Sequence, residues 1–206
     1  MRQEDKQSHW QRVYETKSAT EVSWYQPEPR VSLELIDNTG VSRDASILDV
    51  GGGASTLIDG LLAKGYRRLG VLDIAEAALA ASKQRLGKAA DEVEWFVSDV
   101  RDFQSPHLWD LWHDRAVFHF LTEAADRRAY RDVLLSSVPP GGQVIMATFA
   151  LSGPEKCSGL EVVRYDAAGL LRELGDGVAL EETRQESHHT PGGKVQDFLY
   201  CRFRRV

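Results

Sequence analysis

Cysteine is scarce in this chain: Cys157 and Cys201 are the two thiols in 206 residues. Two thiols so far apart exclude a disulfide framework and lack the paired spacing of a zinc site, and they fit a reducing compartment, so a cytoplasmic location is expected. They also count against a soft-metalloid substrate such as arsenite. Long apolar runs are missing: nothing approaches the roughly 20 residues of a membrane span, and "MRQEDKQSHWQRVYE" has no hydrophobic segment of signal-peptide type. No membrane partner is expected. A basic surplus is missing too. Lys and Arg number 25 against 31 Asp and Glu, a net charge of −6, whereas non-specific nucleic-acid binding rests on clustered cations. No nucleic-acid partner is expected. Without repeats or low-complexity linkers, a chain of this length with 42% hydrophobic residues suits one domain with a sizeable core.

What is present is an alternation of short β-branched runs with helical patterns from residue 47 onward, the mark of βα units on a largely parallel sheet. "SILDV", "LGVLDI", "EVEWFVSDV", "WDLWHDRAV" and "QVIMATFA" read as strands. Helices are expected at "STLIDGLLAKG", capped by Ser55 and ended by Gly65, at "EAALAASKQRLG", and at "TEAADRRAYRDVLLSSV" with Thr122 as cap. After the helix "YDAAGLLREL", "VALEETRQES" and "VQDFLYCRF" are separated by so few residues that they must form an antiparallel hairpin. The fold class is therefore α/β, a Rossmann-like doubly wound sheet of seven strands ending in an antiparallel one. Residues 1–46 form a helical or irregular lead-in, expected to lie as a lid over the sheet of residues 47–206.

The stretch "ILDVGGGAST" places Gly51, Gly52 and Gly53 between the first strand and a helix, where absent Cβ atoms permit a tight turn and close approach to a ligand. Ligands of open α/β sheets bind there, beyond the carboxyl ends of the strands. Asp73 closes the second strand and is placed to accept hydrogen bonds from ribose hydroxyls. The dinucleotide fingerprint GxGxxG is absent, because Thr56 stands where the third glycine belongs. Asp49, two residues before the first glycine, suits a cationic ligand better than a pyrophosphate. Both features argue against an NAD(P)-binding oxidoreductase.

Together these segments resemble the class I S-adenosylmethionine-dependent methyltransferases. The first motif is similar to "LDVGGGAS", and "VLDIA", "VSDVRDF", "DLWHDRAVFHFL" and "VPPGGQVIMATF" follow in the family's order. The resemblance implies the strand order 3-2-1-4-5-7-6 with strand 7 antiparallel, and S-adenosyl-L-methionine as cofactor. It implies that Gly51 and Gly53 lie against the cofactor's amino-acid end and that Asp49 orients its ammonium. Asp73 would hold the ribose, Ile74 the adenine face, Asp99 and Val100 the adenine edge. The alternative reading of Asp99 is a turn residue capping the third strand. His113 and Asp114 would face the sulfonium and methyl group.

Methyl transfer is an in-line displacement in which alignment supplies much of the rate, so no obvious catalytic dyad is required. "HDRA" differs from the Asn/Asp-Pro-Pro-Tyr/Phe pattern that grips amides and exocyclic amines. The acceptor is therefore expected to be a small molecule methylated on O, N or S. A protein-lysine substrate is the alternative, since "EVSWY" resembles an element of eukaryotic lysine methyltransferases. A non-catalytic S-adenosylmethionine-binding module fits the same glycines and acids. Tyr14, Lys17, Trp24, Tyr25 and Gln26 are lid candidates, the aromatic faces suiting a sulfonium, although Trp24 and Tyr25 could equally fill the core. Asp114 and His119 are candidate proton acceptors, with a buried, hydrogen-bonded histidine as the other reading of His119. Arg115 and Cys157 are candidate substrate contacts. His188 and His189, adjacent on a strand, face opposite ways and are not expected to share a metal. Oligomeric state is open.

Overall fold

The computed structural model describes residues 3–206, and side chains from Lys6 onward. Its first strands and helices are β1 (Ser46–Val50), α3 (Leu57–Ala63), β2 (Arg68–Asp73), α4 (Glu76–Leu86), β3 (Val93–Val97) and β4 (Leu111–Arg115). Then come α5 (Ala124–Ser137), β5 (Gln143–Phe149), the small strands β6 (Lys156–Cys157) and β7 (Leu160–Glu161), α6 (Ala167–Leu174), β8 (Val178–His189) and β9 (Val195–Arg205). Two helices precede them, α1 (Gln3–Thr16) and α2 (Arg30–Asn38).

The large sheet runs β3-β2-β1-β4-β5-β9-β8, and β9 is antiparallel to both neighbours. Counting only its own strands, this is the expected order 3-2-1-4-5-7-6. β6 and β7 form a separate hairpin between β5 and α6. Every residue of β1 and of β5 is buried, as it must be for central strands covered by helices on both faces. Alternation divides the core in two. Leu48, Val50, Trp112 and Met146 pack with Tyr130 and Leu134 of α5, whereas Ile47, Leu111 and Ile145 pack on the other face with Leu33 and Ile36 of α2 and Leu57 and Leu61 of α3.

The lead-in thus holds two helices of different roles. α2 belongs to the core, burying Ser32, Leu33, Leu35 and Ile36. α1 lies across the carboxyl ends of the strands, where Gln7 Nε2 donates to the Ile74 carbonyl at 3.3 Å and the Ala77 N–H donates to Gln11 Oε1 at 3.1 Å. Some expected boundaries shift. Ser55 does serve the start of α3, its Oγ accepting the Leu57 N–H at 3.1 Å, and Gly65 follows α3 at φ +90°. Thr122 does not cap α5; Glu123 holds that place with no side-chain hydrogen bond. β3 stops at Val97 because the Asp99 carboxylate takes the Arg101 N–H at 2.9 Å and turns the chain. Among the described residues no helix is long and apolar enough to cross a membrane.

Candidate functional site

Sheet order reverses between β1 and β4, and beyond their carboxyl ends lies a cavity of about 910 Å³ including its open mouth. Gly51, Asp73, Ile74, Asp99 and Val100 line one end; Tyr14 and Trp24 close it from the lead-in. The glycine loop is held from behind by Arg85 of α4, whose guanidinium donates to the Ala54 and Ser55 carbonyls at 3.1 and 2.6 Å and pairs with Asp59. Gly51 (φ +66°) and Gly53 (φ +37°) adopt left-handed backbone. A Cβ on Gly51 would meet Val117 Cγ2 at 2.0 Å, and one on Gly53 would meet Asp73 Oδ2 at 2.7 Å and the Tyr14 hydroxyl at 3.2 Å. What comes so close to this backbone is therefore partly the protein itself.

Asp73 ends β2 with its Oδ1 accepting the Ala75 N–H at 2.8 Å. Burial, with Asp49 nearby, pushes its carboxyl up to about 7. Asp49 is buried in β1; its Oδ1 pairs with His113 Nδ1 at 2.7 Å, and His113 Nε2 meets Ser32 Oγ at 2.9 Å. Asp49 Oδ2 is buried with no hydrogen-bond partner among the described residues. These residues line a second recess of about 530 Å³ with Gly52, Tyr25 and Gln26, which meets the larger cavity at Gly51, Trp24 and Arg115. An orphaned carboxylate oxygen calls for a cation or a hydrogen-bond donor. Two carboxylates about a glycine cradle fit a ligand bearing an ammonium and a ribose diol, and would repel a pyrophosphate.

Several sequence-based assignments change. His113 and Asp114 cannot both face the ligand, because neighbours on a strand point to opposite sides. His113 turns to Asp49 and Ser32. Asp114 turns into the α5 layer, fully buried, where its carboxylate accepts the Tyr130 hydroxyl at 2.5 Å and the Val117 and Phe118 N–H groups at 2.9 and 3.1 Å. Burial pushes it up to about 6. It locks the turn after β4, including Ala116 at φ +70°, a conformation that costs a non-glycine residue energy. His119 lies on a single 3-10 turn, Phe118–Phe120, entered as the chain leaves β4. It is fully buried, its Nδ1 accepts the Phe149 N–H at 3.3 Å, and burial drives it down to about 3. Neither Asp114 nor His119 borders the cavity. Asp99 is pushed up by burial, but the two-pronged Arg101 guanidinium, at 2.6 and 2.9 Å, outweighs this and holds it below the usual carboxylate range. Lys17 is exposed and reaches neither recess.

The far end of the cavity is aromatic. Trp10 stands edge-on to Trp24 and Phe120, with centroids 5.6 and 5.0 Å away, and Trp24 Nε1 donates to the Tyr14 hydroxyl at 3.2 Å. Opposite, Arg115 lies 4.3 Å over the Phe198 ring, donating from Nε to the Tyr200 hydroxyl at 2.9 Å and from Nη1 to the Trp24 carbonyl at 3.1 Å. Glu186 Oε2 accepts from Tyr200, and Glu186 Oε1 accepts from Gln26 Nε2, both at 2.8 Å. Gln26 is thus a strut from the lid to β8. Cys157 borders this end, its thiol pushed up to about 11 by burial. Trp10, Phe120, Gln196 and Phe198 border it as well, and sequence reasoning missed them. Phe120 and Phe198 sat inside quoted motifs, yet only the meeting of α1, the turn after β4 and β9 brings them together. His188 is buried with Nε2 on the Ser23 carbonyl at 2.8 Å, while His189 is exposed on the opposite face.

Residues 47–142 match the family described as "Methyltransferase domain". Nodulation protein S of Rhizobium fredii is 33% identical over 96 residues, 47% of this chain and 54% of that protein. The chain spans about half the length of the curated relatives it matches. The crystal structure of the N-methyltransferase NodS from Bradyrhizobium japonicum WM9 with S-adenosyl-L-homocysteine superposes at a TM-score of 0.71 and 20% identity, covering 95% of this chain and 97% of that one. The 1,6-didemethyltoxoflavin-N1-methyltransferase of Burkholderia thailandensis, bound to 1,6-didemethyltoxoflavin and S-adenosylhomocysteine, superposes at 0.72 and 18% identity over 97% of this chain and 87% of that one. At these identities the structural likenesses establish the fold.

Proposed function

We propose, from the premise that residues 47–142 form a methyltransferase domain of the class I S-adenosylmethionine-dependent kind, that the protein transfers a methyl group from S-adenosylmethionine to nitrogen of a small molecule. The observation that carries the proposal is the pair of acids around the glycine cradle: Asp73 at the end of β2, and Asp49 with its partnerless buried oxygen. Asp73 would hold the ribose hydroxyls, Asp49 with His113 the ammonium, and Ile74 and Val100 the adenine. When bound, S-adenosylmethionine supplies an electrophilic methyl carbon: the acceptor's lone pair forms the new bond, and the carbon–sulfur pair stays on sulfur as a neutral thioether.

The chain's own task is to align the acceptor and exclude water. Apart from Asp73, given to the ribose, and Asp99, held by Arg101, the described residues offer no ready proton acceptor there. Cys157 and Tyr14, both bordering the cavity, are pushed up by burial, while Asp114 and His119 are enclosed elsewhere. A neutral nitrogen needs no base before attack, since its proton leaves to water afterwards, whereas an alcohol does need one. That the two solved neighbours named above are N-methyltransferases supports the same atom. The cavity, roofed by α1, Tyr14 and Trp24, suits a small acceptor better than a folded protein.

The test is incubation with methyl-labelled S-adenosylmethionine and a panel of amines, aza-heterocycles, phenols, thiols and lysine-bearing proteins, followed by mass spectrometry. One labelled methyl on a nitrogen of a small molecule is the expected outcome. Transfer confined to oxygen, sulfur or protein lysine would overturn it.

A further inference from the structure

The aromatic end of the cavity holds polar groups with no hydrogen-bond partner among the described residues. Gln196 is 7% exposed, borders the cavity, and its buried Oε1 has no hydrogen-bond partner. Arg115 Nη2, on a side chain 10% exposed, likewise has none, the nearest carboxylate oxygen being Glu186 Oε2 at 3.8 Å. Buried polar atoms left open in this way are costly, and a ligand that pairs with them recovers that cost. The two groups share one surface. Gln196, Phe198 and Tyr200 alternate along β9 and so face the same side. Arg115 lies over that side, its guanidinium carbon 4.3 Å from the Phe198 ring centroid and its Nε donating to the Tyr200 hydroxyl.

Trp10 and Phe120 border the same space, edge-on to each other with centroids 5.0 Å apart, so its walls are largely aromatic. Its charge is balanced, because Glu186 offsets Arg115. Burial pushes Cys157 up, and burial with the Arg115 charge pushes His188 down, so both are uncharged near neutral pH, while Lys6 on the cavity wall is paired with Asp126 at 3.6 Å. An ionised acceptor would therefore lose its hydration for no net attraction.

We propose that the methyl acceptor is a neutral, flat aza-aromatic ring whose polar edge presents a carbonyl to Arg115 Nη2 and an N–H or O–H to Gln196 Oε1. This deepens the function proposed above and rests on it for the reacting nitrogen, while the recognition itself belongs to the aromatic end alone. The lone pair of a pyridine-type ring nitrogen would take the methyl carbon, and the cation formed would return to neutrality by losing a proton from a conjugated N–H or O–H of the ring to water.

Calorimetric titration with quinazoline-2,4-dione as probe, with and without S-adenosylhomocysteine, tests the assignment. Its octahydro analogue keeps the polar edge and loses the flat ring; glucosamine is an amine with neither. The dione is expected to bind. The octahydro analogue and Gln196→Leu should each weaken binding about tenfold, the size of one hydrogen bond or one stacking contact, with S-adenosylhomocysteine affinity unchanged in the variant. Gln196→Met, which keeps the side chain's length, provides the same reading if the leucine variant does not fold. No binding of the dione, equal binding of the saturated analogue or glucosamine, or indifference to both substitutions would overturn the proposal. If S-adenosylhomocysteine fails to bind while the dione binds in a Gln196-dependent way, the aromatic subsite stands and the methyltransferase reading falls.

Discussion

Asp73→Asn is expected to weaken S-adenosylhomocysteine binding about thirtyfold at pH 8, the loss of about 2 kcal/mol that a hydrogen bond to a charged group is worth. Asparagine keeps an oxygen for the Ala75 N–H, so the turn after β2 survives and the loss reports on the ligand. A pH signature accompanies it. Without ligand the Asp73 carboxyl holds its proton up to about 7, because burial and the nearby Asp49 disfavour its charge. The ionised form is the better acceptor for ribose hydroxyls, so binding below pH 7 must release that proton. Wild-type affinity should fall as pH drops below 7, approaching tenfold per pH unit, and level off above it. The asparagine variant should lack this slope.

Stability moves the other way. A carboxyl whose native value lies above its unfolded one loses folding free energy as pH rises between the two. The variant should therefore melt above the wild type at pH 8. Titration calorimetry at pH 6, 7 and 8 with thermal melts checks both parts. A pH-independent wild type with an equally tight variant would mean that Asp73 holds no ribose.

Asp114→Ala should lower the melting temperature by about 10 °C. The carboxylate accepts three hydrogen bonds in a fully buried site. Alanine strands the Val117 and Phe118 N–H groups and the Tyr130 hydroxyl proton, a cost of about 3 kcal/mol after recovering the penalty of a buried acid. At roughly 2–4 °C per kcal/mol for a chain of this size, that gives the stated shift. Ala116 and Val117 border the cavity and hang on this lock, so ligand affinity should fall in step with stability. A variant that melts like the wild type and binds ligand normally, yet does not turn over, would restore Asp114 to the role of proton acceptor that its place in "HDRA" first gave it.

That pair of acids shows what the sequence made legible. Asp73 and the glycines were readable because local geometry dictates them: a strand end, a left-handed turn and a helix start all fall within a few residues. The strand order and terminal hairpin followed from strand spacing and the resemblance. Asp114 and His119 misled because their residue types suit catalysis, while their partners, Tyr130 and the Phe149 N–H, lie 16 and 30 residues away. Strand alternation did allow one further step, since His113 and Asp114 had to face opposite layers. The Asp49–His113–Ser32 chain needed α2, whose place in the core no local signal announced. Trp10, Gln196 and Phe198 were the least legible, since α1 and β9 meet over the cavity from opposite ends of the chain.

The most direct test of the central claim is calorimetric titration of the purified protein with S-adenosylhomocysteine, with NAD as the competing ligand. Micromolar binding of S-adenosylhomocysteine is expected and none of NAD, whose pyrophosphate would face Asp49 and Asp73. Tight NAD binding with no response to the sulfur ligand would contradict it.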